Sequence, residues 1–119
     1  MKRTGSTNIH LRRLIHYLNK KARENNAPIW RRVAELLNKP TRNRVEVNIS
    51  KLNRYTSDGD IVIVPGKVLG SGVLEHSLIV AAWSASSEAT RKINQRGKLI
   101  TIEELVEQYP KGSGVKIII

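Results

Sequence analysis

The sequence predicts a small single α/β domain of short strands and helices, with a basic helical extension at its N-terminus. Three observations lead there. The chain has 119 residues, enough for one domain and too few for two. Apolar residues recur at helical spacing early in the chain and as β-branched runs between Gly, Pro, Ser and Asp turns later. The whole net charge of +11 lies in residues 1–54, which hold 14 Lys and Arg against three acids, whereas residues 55–119 hold seven of each. The expected organisation is therefore a basic, nucleic-acid-facing segment 1–54 and a compact α/β core 55–119, together one structural unit.

The first helix follows the stripe Leu11, Leu14, Ile15, Leu18 and Ala22, with Arg12, Arg13, Lys20 and Lys21 off it. Ser6, Thr7 and Asn8 all suit its N-cap, and Glu24-Asn25-Asn26 suits its end. A second helix opens at Pro28, a residue favoured at the first helical position. Trp30, Val33, Ala34 and Leu37 form its apolar face, Arg31 and Arg32 lie off it, and Asn38-Lys39-Pro40 ends it. Residues 41–44 read as a basic loop. Val45, Val47 and Ile49 alternate as a strand does, and equally lead into a helical turn through Leu52 and Tyr55. Periodicity leaves both open.

Beyond Tyr55 the character changes. Residues 57–60 form a turn, Ile61-Val62-Ile63-Val64 a strand, Pro65-Gly66 a second turn, and residues 67–69 a short extended piece. Gly70-Ser71-Gly72 turns again before a buried strand at 78–83. Ser84 then caps a helix whose face is Ala85, Ala89 and Ile93, and Gly97 stands where a left-handed C-terminal glycine belongs. A short strand at 98–100 precedes Thr101-Ile102-Glu103-Glu104, which matches a capping box. Tyr109-Pro110 closes that helix, residues 111–114 loop back, and residues 115–119 make a last strand.

Several functional classes fall away on composition. Without Cys there is no thiol catalysis, Cys-based zinc site or disulfide scaffold. A domain of this size buries roughly two-thirds of its unfolded surface and needs none of them to fold. Residues 1–8 are basic and polar with no apolar stretch behind them, which argues against a signal peptide. The longest nearly apolar run, residues 78–83, falls far short of the roughly 20 needed to span a bilayer. A cytoplasmic location is expected.

Solvated helix faces normally carry Glu and Lys in comparable numbers, so a one-signed segment points to a polyanionic partner. Nucleic acid is the reading adopted; an anionic membrane surface and charge for solubility are the alternatives. The candidate RNA contacts are Lys2, Arg3, Arg12, Arg13, Lys20, Lys21, Arg31, Arg32, Arg42, Arg44, Lys51 and Arg54, with Lys67 beyond them. Arginine suits bidentate contact with phosphate. Two Trp, three Tyr and no Phe make no stacking platform of the kind that reads single-stranded bases. Backbone and shape are the expected targets.

Catalytic constellations are weak. Gly66-Lys67-Val68-Leu69-Gly70-Ser71-Gly72 fails the phosphate-loop pattern, because neither Ser nor Thr follows Lys67, and Glu75 stands where a dinucleotide fold needs its third glycine. Tight turns account for these glycines, although glycine also lets a backbone approach another closely. Asp58, Asp60, Glu75 and His76 are the best metal or acid–base candidates, which leaves a small metal-dependent hydrolase as the enzymatic rival. His10 and His16 are six apart and cannot act as an i, i+4 ligand pair. Residues 84–87 lack the glycines that flank a nucleophile elbow. No catalytic residue, cofactor, metal or small-molecule substrate is expected. A free-standing RNA chaperone or DNA-compacting protein is the rival within the binding class.

At Val47-Asn48-Ile49-Ser50-Lys51-Leu52-Asn53-Arg54, and again at Gly66 to Gly72, the chain resembles a known family. So do Leu78-Ile79-Val80-Ala81-Ala82-Trp83-Ser84, Pro28-Ile29-Trp30-Arg31-Arg32-Val33-Ala34 and the early Leu-Arg-Arg-Leu-Ile segment. The family is the archaeal and eukaryotic large-subunit ribosomal protein L-eighteen-e, related to bacterial L-fifteen. The resemblance implies a structural, non-catalytic constituent of the large ribosomal subunit, with large-subunit rRNA and neighbouring ribosomal proteins as partners. It also implies an irregular superhelix of strand–strand–helix turns with a basic N-terminal extension against RNA. Ending at Ile119 without a basic C-terminal tail, the chain is similar to the archaeal form.

Overall fold

The computed structural model describes residues 9–40 and 45–119. The expected N-cap at Ser6, Thr7 or Asn8, the basic loop 41–44, and the candidates Lys2, Arg3, Arg42 and Arg44 lie outside the described residues. In chain order the elements are α1 (Ile9–Asn25), α2 (Pro28–Leu37), β1 (Val45–Asn48), α3 (Ile49–Tyr55), β2 (Asp60–Leu69), β3 (Leu78–Ala85), α4 (Ser87–Arg96), β4 (Lys98–Thr101), α5 (Ile102–Gln108) and β5 (Val115–Ile117).

The five strands form one parallel sheet. Strand β3 pairs along one edge of β2, and β4 pairs with the far side of β3. On the other edge of β2, β5 covers Ile61 to Ile63 and β1 covers Gly66 to Leu69. Helices on both faces explain why residues 61–64 are apolar at every position rather than at alternate ones. Ile63, Ala81 and Ile100 join a core with α1, α2 and α5. Val62, Val64, Val68 and Val80 point the other way, toward Ile49 and Leu52 of α3 and Ala89 and Ile93 of α4.

The apolar stripes of α1 and α2 are buried, α1 packing chiefly on α2 and α2 on β2. Leu11, Leu14, Leu18 and Ala22, with Trp30, Val33, Ala34 and Leu37, share one buried cluster with Ile102, Leu105 and Val106 of α5. Helix α1 ends on Asn26 at φ 51°. The Asn26 N–H reaches the Arg23 carbonyl at 3.4 Å and the Ala27 N–H that of Ala22 at 3.0 Å, the pair of bonds that closes a helix on a left-handed residue.

Both readings of residues 45–55 occur in succession, as strand β1 and then helix α3. Other expectations need correction. Pro65-Gly66 is not a turn: β2 runs straight through it, with an irregularity in its register against β3 between Val64 and Lys67. A bulge tolerates Pro65, which has no N–H to offer a ladder. Gly66 is required because a Cβ there would collide with the Val45 carbonyl of β1. Strand β3 continues to Ala85, so the cap of α4 is Ser86 rather than Ser84, its Oγ accepting from the Ala89 N–H at 3.1 Å. Gly97 is extended (φ −154°) instead of left-handed; it is glycine because its Cα lies against the Leu78 backbone. The last strand stops at Ile117.

The capping box is present as expected. Thr101 Oγ1 accepts from the Glu104 N–H at 3.1 Å, and Glu104 Oε1 accepts from the Thr101 N–H at 2.9 Å. Asn94 Oδ1 accepts from the Leu99 N–H at 3.1 Å. Two backbone donors of the edge strand β4 are thereby occupied by side chains, which blunts that edge against pairing with another chain.

Candidate nucleic-acid interface

A helix advances about 100° per residue, so the burial of Leu11, Leu14, Leu18 and Ala22 determines where the other α1 side chains point. Arg12, Arg13, His16, Lys20 and Arg23 fall on the opposite arc, and all five are exposed. Arg23 was not among the sequence candidates, although the spacing from Lys20 could have found it. Lys21 sits nearer the core, half-buried, 3.2 Å from Glu24 and 5.6 Å from the centre of the Tyr17 ring. Its hydrogen bond to Glu24 holds the ammonium above the ordinary lysine range. Lys20 approaches the same carboxylate at 3.9 Å.

On α2, Arg31 and Arg32 flank the outer face and are exposed, Arg32 pairing with Glu35 at 3.5 Å. Among the described residues Arg13, Arg23 and Arg31 have no ion-pair partner. These three project charge from a rigid base, since the other side of each helix is locked in the core.

The remaining candidates are elsewhere. Lys51 is half-buried and Arg54 exposed on α3, the latter 5.6 Å from the Tyr55 ring centre. Helix α3 packs on the sheet face opposite α1 and α2, so the sheet separates the two groups. Lys67 is exposed on β2, beside Glu46 of β1 in the register. Val68 faces α3 and α4, so its neighbour Lys67 faces the other side of the sheet, the side of α1 and α2. Among the described candidates only Lys51 and Arg54 lie across the sheet.

The glycine-rich segment has a structural occupation that the sequence did not disclose. Lys92 of α4 donates to the Gly70 and Gly72 carbonyls at 2.6 Å each and pairs with Glu88 at 3.4 Å. The Ser71 carbonyl accepts from the Ser50 N–H at 3.0 Å. Gly72 adopts φ 109° with its Cα against Ser50, where a side chain would be both strained and obstructed. The loop is a seam joining β2, α3 and α4.

The residues of the hydrolase rival are equally committed. Asp58 Oδ1 accepts from the Ser77 N–H at 2.8 Å, and Asp60 Oδ2 from the Ser57 N–H and from Lys116 Nζ, both at 2.8 Å. Lys116, first, and Ser57 hold the Asp60 carboxyl below its ordinary range. Glu75 exchanges two 2.9 Å bonds with Asn53. The Thr56 hydroxyl donates to the Leu52 carbonyl at 2.5 Å and lies 2.7 Å from His76 Nε2, so it must accept from a protonated Nε2. The Asp58, Glu75 and His76 contacts fasten the β2–β3 connection to the end of α3 and the turn that follows it, and Asp60 ties β2 to β5. Among the described residues no three His, Cys, Asp or Glu side chains are grouped to hold a metal, and no helix is long and apolar enough to cross a membrane.

No protein-family model matches the chain. Individual relatives do. It is 53% identical over 117 residues to the large ribosomal subunit protein eL18 of Pyrobaculum aerophilum, covering 98% of this chain and 96% of that protein. The chain belongs to the eL18 family. To the eL18 of Methanoregula boonei it is 52% identical, covering 94% of this chain and 93% of the relative. To that of Methanococcus maripaludis it is 49% identical, with 98% of each covered. The eL18 likeness thus runs through the basic helices and the sheet together.

Proposed function

We propose that this chain is a structural, non-catalytic constituent of the large ribosomal subunit in the cytoplasm, held on large-subunit rRNA by the outer faces of α1 and α2. The observation that carries the reading is the set Arg13, Arg23 and Arg31, exposed and without carboxylate partners among the described residues, on helices whose inner faces are buried. Arg12, Lys20 and Arg32 add charge on the same two helices. Lys51 and Arg54 on α3 would serve a second RNA segment across the sheet, and Lys67 on β2 would add to the α1 and α2 side. Lys2, Arg3, Arg42 and Arg44 are proposed as further contacts on charge alone. The relatives named for the large ribosomal subunit support this reading, and neighbouring ribosomal proteins are the other expected partners.

The test is the salt dependence of binding to large-subunit rRNA fragments. Each phosphate contact contributes about 0.9 to the slope of log affinity against log salt on a duplex. Replacing Arg13, Arg23 and Arg31 together by Ala should flatten that slope by about two to three units. An unchanged slope would place the RNA elsewhere. Equal affinity for duplex DNA of the same length would favour the free-standing nucleic-acid-compacting rival.

A further inference from the structure

At the carboxyl ends of β3 and β4 a cavity of about 250 Å³ opens between α4 and α5, lined by Trp83, Ser84, Thr90, Leu99, Thr101 and Glu104. The carboxyl edge of a parallel sheet is where such folds commonly bind ligands. We propose that this cavity receives an arginine side chain from a basic segment of a neighbouring protein, its guanidinium stacked on Trp83 and paired with Glu104.

The chemistry of the walls selects the occupant. Helix N-termini ordinarily favour an anion, but both of these are already answered. Ser86 caps α4 with Glu88 in its first turn, and Thr101 caps α5 with Glu103 and Glu104 in its first turn. A phosphate entering here would meet the Glu104 carboxylate, which is held in its charged form by the Thr101 N–H. Thr101 bonds that carboxylate through its N–H, at Oε1, and through its side chain, and a carboxylate, with about four lone-pair sites, keeps acceptor capacity for a cation. Glu104 is the carboxylate that lines the cavity.

Trp83 is half-buried, and its indole N–H has no acceptor among the described residues. A flat cation gains from an aromatic face, and a guanidinium gains more than an ammonium because it stacks as a plane. It also carries five donors, and the cavity is rich in acceptors. The Thr90 hydroxyl gives its proton to the Ser86 carbonyl at 2.9 Å and so turns only acceptor capacity outward. Ser84 is exposed and supplies another oxygen.

The test uses the full chain labelled with nitrogen-15. Its two indole N–H groups are distinguishable, because that of Trp30 is bonded to Pro110. The probes are a capped tetra-arginine peptide, a capped tetralysine peptide and adenosine monophosphate. Tetra-arginine should shift the Trp83 indole resonance saturably, with affinity falling roughly fivefold in Glu104→Gln and further in Trp83→Leu, the latter read from the backbone amides of Thr90 and Glu104. Glutamine also serves the third position of a capping box, so Glu104→Gln should stay folded and melt cooperatively, slightly below the parent because it lacks the charge that the cap favours. No shift with tetra-arginine, an equal shift with tetralysine, or unchanged affinity in Glu104→Gln would each overturn the proposal. A preferential shift with the nucleotide would overturn it too and give the cavity to an RNA base. No arm of this test needs rRNA, so its failure is distinct from failure of the RNA reading.

Discussion

The indole N–H of Trp30 on α2 donates to the Pro110 carbonyl beyond α5 at 2.8 Å, joining positions 80 residues apart. The ring is fully buried, and Lys111 adds a 3.2 Å bond to the Asn25 carbonyl at the end of α1. The segment with the charge is thus tied to the segment without it. Trp30→Phe removes the donor, strands a carbonyl and leaves a small void, at a cost of about 1–4 kcal/mol. Urea unfolding should show a lower midpoint with a single cooperative transition. A mutant as stable as the parent would mean that this bond contributes nothing to the union.

That tie decides how the basic helices can be tested. Deleting α1 would remove Leu11, Leu14, Leu18 and Ala22 from the buried cluster and strip the cover from α2, so lost RNA binding could then be lost folding. Charge reversal avoids this. Arg31→Glu with Arg32→Glu changes two exposed side chains off the buried face of α2. Incorporation into large subunits should be blocked, and rRNA affinity should fall at least tenfold at low salt, while the far-UV circular dichroism stays near native. Normal incorporation of the double mutant would remove both arginines from the contact set.

Lys92 offers a different test, of a residue that resembles a surface lysine in sequence. Its side chain is only 22% exposed, and its ammonium holds two carbonyls of the glycine seam. Lys92→Met keeps the aliphatic stem and strips the donors, which should cost about 1–3 kcal/mol. The Ser50 amide, bonded to Ser71 within that seam, should exchange faster with solvent. Unaltered exchange there would show that the seam holds without Lys92.

What the sequence disclosed was local. The stripes of α1 and α2 and the Thr101–Glu104 box depend on residues within a turn or two of one another, and each lies where the spacing puts it. The errors share a cause. Gly66 looks like half of a Pro-Gly turn but is small because Val45 passes it, and Gly97 looks like a helix stop but is small because Leu78 passes it. Both reasons lie about twenty residues away. Lys92 was one of seven cations in a neutral half, and nothing near it in sequence announces the Gly70 carbonyl. For the basic residues, periodicity gave exposure but not side: only the topology puts α3 across the sheet from α1 and α2.

Asp60 opens β2 and Lys116 lies in β5, and their 2.8 Å contact bridges the two strands. Because Lys116 and the Ser57 N–H lower the folded pKa of Asp60, the carboxylate is favoured more in the folded chain than in the unfolded one. Its contribution is therefore complete above the unfolded value of about 4 and is lost as pH falls through the lower folded value. Asp60→Asn should accordingly melt below the parent at pH 7, and the gap should narrow as pH falls from about 4 toward 2. Glu104 is also lowered, but it is present in both proteins and cancels from the difference. Lys116→Met should shrink the same gap at neutral pH, because it removes the larger of the two causes. Melting curves of the four proteins, the double mutant included, between pH 2 and 7 decide the matter. A gap independent of pH would assign the effect of Asp60 to its bond with Ser57 as a neutral acceptor, not to its charge.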